Sequence, residues 1–337
     1  MNIKRVLVAL SGGVDSSVCV KLLQQQGYEV AAVVMKMSPA HENTVLQAKT
    51  AADFLGVKLY VKDCSDIFET QVISRFVSDY QSGKTPNPCI ICNPLVKFKV
   101  LLDTADENGF DMIATGHYAK VIKTGLEYAF YRSPVTERDQ SYVLYRLGQD
   151  VLSRLLLPLA EMPKQEVREF AAMHKLPAAA LPDSQEICFI PDNDYGGYIR
   201  KYFGEMPPGE FVAPDGNVCG RHRGIYQYTV GQRKGLGIAL GKPAYIKKID
   251  SKENRIYLAF ADEDLLDCIR ISDICGCVNS GEYKVKIRSA ATPVPAFVDI
   301  NGSEASVRLK TAVRAPSSGQ SVVIYDGDRV AGGGFII

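Results

Sequence analysis

Ser11-Gly12-Gly13-Val14-Asp15-Ser16-Ser17 follows the apolar run Val6-Leu7-Val8-Ala9-Leu10 and precedes a helical pattern ending at Gly27. A strand, a glycine turn and a helix N-terminus together form a pocket of backbone N–H groups at a positive dipole end, which suits phosphate. The lysine of a Walker A loop is missing, so this is a different phosphate loop. An ordinary glycine turn is the bland alternative. Seven positions in the right strand–turn–helix context argue against it and for a nucleotide-phosphate site.

Strand and helix patterns alternate onward from that loop. Arg5–Leu10 reads as a strand, Ser16–Gln26 as a helix, Glu29–Met37 as a buried strand, Thr44–Leu55 as a helix closed by Gly56, and Lys58–Lys62 as a strand. Asp66 opens a helix running to about Gln81. Lys84–Pro94 holds three prolines and reads as irregular, because proline removes donors and disfavours helix before it. A further helix runs to Asn108, and Asp111–Thr115 is a strand that ends in Gly116-His117-Tyr118-Ala119. This rhythm implies a mostly parallel sheet covered by helices, with ligands beyond the carboxyl ends of its strands. Ser11, Met35, the Cys89–Cys92 loop and Gly116 all fall at that edge.

Helical patterns continue to about His174. From Met206 the apolar runs are short and broken by glycine and proline. Strand candidates are Tyr226–Val230, Ala244–Ile249, Arg255–Leu258, Lys284–Arg288, Ala296–Ile300, Ala305–Leu309 and Val322–Tyr325, with a hairpin turn at Asp326-Gly327. The expected organisation is an α/β nucleotide-binding domain over 1–200, a small central domain over 201–261 and a C-terminal β-barrel over 262–337.

The 337 residues carry a formal net charge of +1, so a nucleic-acid surface must be a local patch. One lies between Asn217 and Lys248, where Arg221, Arg223, Arg233, Lys234, Lys242, Lys247 and Lys248 occur without Asp or Glu. Tyr226, Tyr228 and Tyr245 are interleaved, as base stacking requires. A solvated basic face is the alternative. No apolar stretch is long enough to span a bilayer and no signal peptide is evident, so a membrane partner is not expected. Nine cysteines without a secretory signal point to reduced thiols in the cytoplasm.

Cys89-x-x-Cys92 and Cys188 both fall in segments able to reach the nucleotide. ATP beside a thiol suggests sulfur transfer onto an adenylated carbonyl, because adenylation converts a poor oxygen leaving group into a good one. Structural zinc would need a second pair, and Cys268 with Cys275-x-Cys277 has the wrong spacing. Cys19 and Cys64 read as packing residues, and structure is the default for Cys219 and the later cysteines.

With these residues in hand, the chain resembles the tRNA-specific 2-thiouridylases of the PP-loop ATP pyrophosphatases. The marks are Ser11–Ser17, Thr85-Pro86-Asn87-Pro88 with Cys92-Asn93, Gly116–Ala119, Asp139–Tyr142, Asp183–Ile190, Tyr228–Gly237, Arg314, Gly319-Gln320 and Gly332–Gly334. The resemblance implies thiolation at C2 of the wobble uridine, position 34, in tRNAs for Lys, Glu and Gln, with ATP and Mg²⁺, releasing AMP and pyrophosphate. It implies ATP contacts from Ala9, Leu10, Ser11, Gly12, Gly13, Val14, Asp15, Ser16 and Met35, with Gly116 near the adenine. Cys188 would carry a persulfide received from a sulfur-donor protein, a sulfide source being the alternative partner. Cys92 would attack, or pair with Cys188 as sulfur leaves, and Asp15 would orient Mg²⁺ or the helix turn. Asn87, Pro88 and Cys89 would face the target base, with His117, Arg138, Asp139, Gln140, Arg288 and Gln320 on tRNA.

The chain departs from the family at Cys89, where many members have Asp, in the short segment Ser38–Asn43, and at Ser289-Ala290. Cys89, Cys92 and Cys188 could instead hold three irons of a [4Fe–4S] cluster, and Cys89 tilts the sequence reading that way. The competing functional readings are a PP-loop ligase adenylating a small molecule and a tRNA-binding protein without catalysis.

Overall fold

A computed structural model describes residues 3–337 except 184–186, 191, 193, 262, 264 and 315. The chain divides into two compact units, one of Met1–Val72, Cys89–Pro191 and Asp328–Val330, the other of Ile73–Pro88, Asp192–Gly327 and Ala331–Ile337.

The first unit is built on a five-stranded parallel sheet with strand order Leu59–Asp63, Glu29–Lys36, Arg5–Ala9, Met112–Ala114, Leu155–Leu156. Val6 and Val8 of the central strand are fully buried and pack with Val18, Leu23 and Ala48 from the helices Val14–Gln25 and Glu42–Leu55. Burying apolar side chains on the sheet is what anchors the phosphate loop. The strand order reverses beside Arg5–Ala9, where Met112–Ala114 is the other neighbour. Such a reversal opens a crevice at the carboxyl edge. Ser11 follows one of these two strands and Gly116 the other.

Gly27 and Gly56 close their helices at φ +83° and +65°, as the sequence requires. Gly12, at φ +79°, is held more tightly: a Cβ there would run into the backbone of Gln47 and Ala48. Only glycine fits this turn.

Two expectations from proline and periodicity are corrected in this unit. The segment read as irregular contains a helix, Pro88–Cys92, followed by a π-helical turn, Asn93–Lys97, and the helix Phe98–Glu107. Pro88 opens the first helix, where its missing N–H costs nothing, and Pro94 lies in the wider π turn. Residues read as helical between Ala119 and His174 include a hairpin, Lys120–Thr124 with Glu127–Tyr131, turning at Gly125 with φ +65°.

The second unit contains a four-stranded sheet, Ala244–Asp250, Arg255–Phe260, Gly209–Val212 and Val218–His222, around Phe211, Tyr228, Ile246 and Ile256. Tyr226–Val230 is not a strand: Ile225–Gln227 forms a 3-10 turn. Six further strands form a closed antiparallel barrel in the order Leu265–Gly276, Glu304–Arg314, Val294–Asn301, Gly281–Lys286, Ser321–Asp326, Arg329–Ile336, with the last paired to the first. Its core includes Val285, Val298, Val307 and Ile324, all fully buried. The Asp326-Gly327 turn joins two of its strands, with Gly327 at φ +60°.

Candidate active site

Within the phosphate loop, hydroxyls fix the turn. Ser16 and Ser17 Oγ donate to the Gly13 carbonyl at 3.1 and 2.9 Å, and the Gly13 N–H reaches Ser11 Oγ at 3.3 Å. The Ser11 N–H donates to Ser16 Oγ at 3.2 Å, and Leu10 N–H bonds the Val33 carbonyl at 2.9 Å. The helix starts at Val14, two residues earlier than its periodicity indicates, so Val14, Asp15 and Ser16 present first-turn N–H groups with no intrahelical acceptor. Ala9 ends the strand before the loop, and Met35 lies next to the end of the neighbouring strand.

Asp15 lies in the first helical turn and is the best-connected carboxylate of the loop. It accepts a 2.7 Å hydrogen bond from Tyr118 Oη, and Lys164 Nζ lies 2.7 and 2.8 Å from its two oxygens. Lys164 also reaches Asp183 at 3.0 Å, and Asp183 takes Arg168 at 2.5 Å and Arg138 at 3.1 Å. Burial alone would push the Asp183 carboxyl up; Lys164, Arg168 and Arg138 together hold it below the ordinary range. Three cations thus face two carboxylates, leaving net positive charge beside a loop already suited to anions. Lys164 begins the helix Lys164–Met173, remote in sequence from the loop, and brings a cation to a loop that lacks the Walker lysine.

Gly116 packs directly on Asp15; a Cβ would stand 3.0 Å from the Asp15 carbonyl carbon. Its neighbour His117 faces the other way. The ring bonds Thr115 Oγ1 through Nδ1 at 2.8 Å, and burial followed by the charge of Lys97 pushes its pKa down to about 3. His117 is therefore a neutral imidazole at physiological pH.

Lys97 organises the cysteines. Cys92 is buried, with its sulfur 4.0 Å from Met37 Sδ, Cys89 is half-buried and Cys188 is exposed. Burial raises the Cys92 thiol to about 12, while Lys97 and its backbone N–H oppose that rise. Protein around its sulfur pushes the Cys188 thiol up as well, again opposed by Lys97. The ammonium of Lys97 is destabilised by burial, but Cys92, Cys89 and Cys188 outweigh this and hold its pKa above the ordinary value. His41 feels the same charge: burial, then Lys97, lowers its pKa. Its ring touches Phe68 edge-on at 6.3 Å, and Phe68 meets Phe189, the neighbour of Cys188, at 5.4 Å.

The cluster expectation meets a poor fit. Among the described residues no group of three or more His, Cys, Asp or Glu side chains is arranged to hold a metal ion. The charge within reach of the three sulfurs is an ammonium, whereas cluster ligation needs thiolates converging on iron. Ser184, Gln185 and Glu186 of the Asp183–Ile190 motif lie outside the described residues.

Other sequence expectations are redirected. Asp139, read as a tRNA contact, is 8% exposed, and its carboxylate accepts from the N–H groups of Ser133 and Ser141 and from Ser141 Oγ. It shapes the turn from inside. Gln140 clasps Tyr118, accepting its N–H at 2.9 Å and donating its own N–H to the Tyr118 carbonyl at 2.8 Å. Arg138 ties to Asp183, as above. In the second unit, Gln320 Nε2 donates to the Thr85 carbonyl at 2.6 Å and so braces the segment leading to Asn87 and Pro88.

Tyr226 and Tyr228 are core residues, 2% and 8% exposed, and Tyr228 stands edge-on to Phe211 at 5.3 Å, so neither is placed to stack on bases. The basic residues themselves are exposed. The half-buried Tyr245 carries the Arg314 guanidinium 3.8 Å above its ring and bonds Arg233. Gly231 stands beside Arg288, whose Nη2 would lie 3.4 Å from an added Cβ. Sequence periodicity missed Lys97, Lys164 and Arg168; each is an ordinary basic residue in a helical pattern, with no local signal of its partners.

Among the described residues no helix is long and apolar enough to cross a membrane.

Residues 4–192 match a family model described as the tRNA methyl transferase HUP domain, residues 196–259 the tRNA methyl transferase PRC-barrel domain, and residues 270–336 the aminomethyltransferase beta-barrel domain. The chain is 44% identical to the tRNA-specific 2-thiouridylase MnmA of Carboxydothermus hydrogenoformans, covering 99% of this chain and 97% of that one. It is 42% identical to that of Acetivibrio thermocellus, over the full length of both. A solved 4-thiouridine synthetase–RNA complex with bound ATP is similar over 56% of the chain at a TM-score of 0.39 and 16% identity, too distant to bear on function. With identity of this order sustained across all three domains, the chain belongs to the tRNA-specific 2-thiouridylase family of sulfurtransferases.

Proposed function

We propose that the chain thiolates C2 of the wobble uridine of tRNA, activating the C2 oxygen with ATP and delivering sulfur through Cys188 and Cys92. The observation that carries this reading is the Gly116-His117 pair: Gly116 packs on Asp15 of the phosphate loop, and His117 lies within the field of Lys97, the cation that the three thiols also meet. Nucleotide activation and sulfur handling thus share one sheet edge.

The first-turn N–H groups of Val14, Asp15 and Ser16, with Lys164, are suited to the triphosphate, and Asp15 to a Mg²⁺ ion. ATP supplies the adenylyl group, and pyrophosphate leaves. A persulfide on Cys188, received from a sulfur-donor protein, loses its proton, and its terminal sulfur attacks C2. The C–S bond forms as the C2–O bond breaks, and AMP leaves with the electron pair. Cys92, giving up its thiol proton, attacks Cys188 Sγ; the S–S bond to the base breaks and the base keeps the sulfur. The resulting Cys92–Cys188 disulfide is returned to thiols by a dithiol reductant. Exposure of Cys188 suits receipt of sulfur, and burial of Cys92 suits a resolving thiol protected from bulk reaction.

The acceptors are tRNAs for Lys, Glu and Gln, and Arg233, Arg288 and Arg314 are offered as their phosphate contacts. Asn87 and Cys89 are placed beside the target base by the same reading. Pyrophosphate release tests it: in ATP and Mg²⁺ the rate rises at least about tenfold on adding unmodified acceptor tRNA. Equal release without tRNA would favour a small-molecule ligase, and none under either condition would favour a binding protein.

A further inference from the structure

Lys97 is a half-buried cation, and among the described residues no carboxylate lies within ion-pair distance of it. Among the described residues, the titratable groups within its field include the thiols of Cys89, Cys92 and Cys188 and the imidazoles of His41 and His117. Both imidazoles are held neutral. Burial disfavours the ammonium and the neighbouring sulfurs favour it through their anionic forms, so the site suits a sulfur anion formed during the reaction.

The backbone aims Lys97 there. It ends the π-helical turn that follows Cys92, and the wider turn brings its N–H to the Cys92 sulfur. Single π turns occur often at functional sites. His41 Nε2 is buried and has no hydrogen-bond partner, while its Nδ1 pairs with Ser38 at 2.9 Å. A buried ring with one nitrogen unbonded among the described residues thus stands within the field of Lys97.

We propose that Lys97 is the counter-ion for sulfur in transit, stabilising the anionic persulfide on Cys188 before it attacks. The proposal rests on the thiolation reading above. Lys97 is a positioning residue: it takes no atom or proton from the substrate and sets the charge of the space in which the sulfur moves. A sulfur anion there pairs with the ammonium, whereas a neutral thiol gains little from it.

The test uses the full-length protein without tRNA or ATP. Cys188 is alkylated with iodoacetate or with iodoacetamide, and the rate at the Cys188 peptide is read by mass spectrometry. Both reagents require the same thiolate, so thiolate content cancels in the ratio of the two rates. The ratio then reports the local charge met by the anionic reagent. Lys97→Met lowers the iodoacetate preference by at least about threefold, and Lys97→Arg retains it. Lys97→Gln, a polar replacement, behaves as Lys97→Met and provides the measurement if the methionine variant does not fold. An unchanged ratio in a folded neutral variant overturns the proposal. If the ratio depends on Lys97 but the unmodified protein makes no 2-thiouridine, the functional reading falls and the charge assignment stands.

Discussion

Cys188→Ser reduces 2-thiouridine formation to below about 1% of the unmodified enzyme and leaves tRNA affinity within about threefold. Serine keeps the shape but cannot carry a sulfane sulfur, so the loss falls on transfer and not on folding. Cys188 is an exposed residue and serine nearly fills the same space, so the change opens no sizeable cavity. Pyrophosphate release continues in the variant, because activation of the base involves the loop and not this thiol. Nucleoside analysis of the reacted tRNA and a binding titration check the two halves of the result. Normal thiolation by Cys188→Ser would remove the residue from the pathway.

Asp15→Asn lowers tRNA-dependent pyrophosphate release by about 100-fold. The amide oxygen can still accept from Tyr118, at 2.7 Å in the unsubstituted protein, so the packing of the turn is kept. What goes is the negative charge that faces Lys164 through both oxygens. Lys164 then pairs with Asp183 alone, which already has Arg138 and Arg168, and its position relative to the loop is no longer set. Cys188 alkylation should be unaffected, because burial and the charge of Lys97, not Asp15, act on that thiol. A coupled pyrophosphate assay at saturating tRNA measures the effect. Unchanged release would place Asp15 outside the activation site.

The parts of this arrangement that local chemistry dictates were legible in the sequence. Gly12 marks a turn that no other residue can make, and Gly27 and Gly56 mark helix ends through their positive φ. The strand alternation placed Ser11, Met35 and Gly116 at one edge of the sheet because a parallel sheet leaves few alternatives. Pairings across long sequence intervals were not legible. Asp15 and Lys164 are 149 residues apart, and nothing around Lys164 distinguishes it from a solvated helix residue. Tyr226 and Tyr228 failed as stacking candidates because an aromatic in a basic stretch looks the same whether it faces RNA or fills a core. Pro88 reads as a breaker in the sequence, yet the same proline that excludes a helix before it is well suited to begin one, as it does here. Cys89 suggests iron because it stands where many relatives have Asp, whereas Lys97, whose charge acts on the three thiols, could be found only in three dimensions.

The central claim is that ATP-driven transfer runs through cysteine thiols in this fold. Protein prepared without oxygen and treated with chelator is assayed for iron and acid-labile sulfide, and the same sample is incubated with acceptor tRNA, ATP and a persulfide donor. Full 2-thiouridine formation with iron below about 0.1 per chain is the predicted result. Activity that tracks about four irons per chain, and disappears with them in Cys89→Ala, would contradict it.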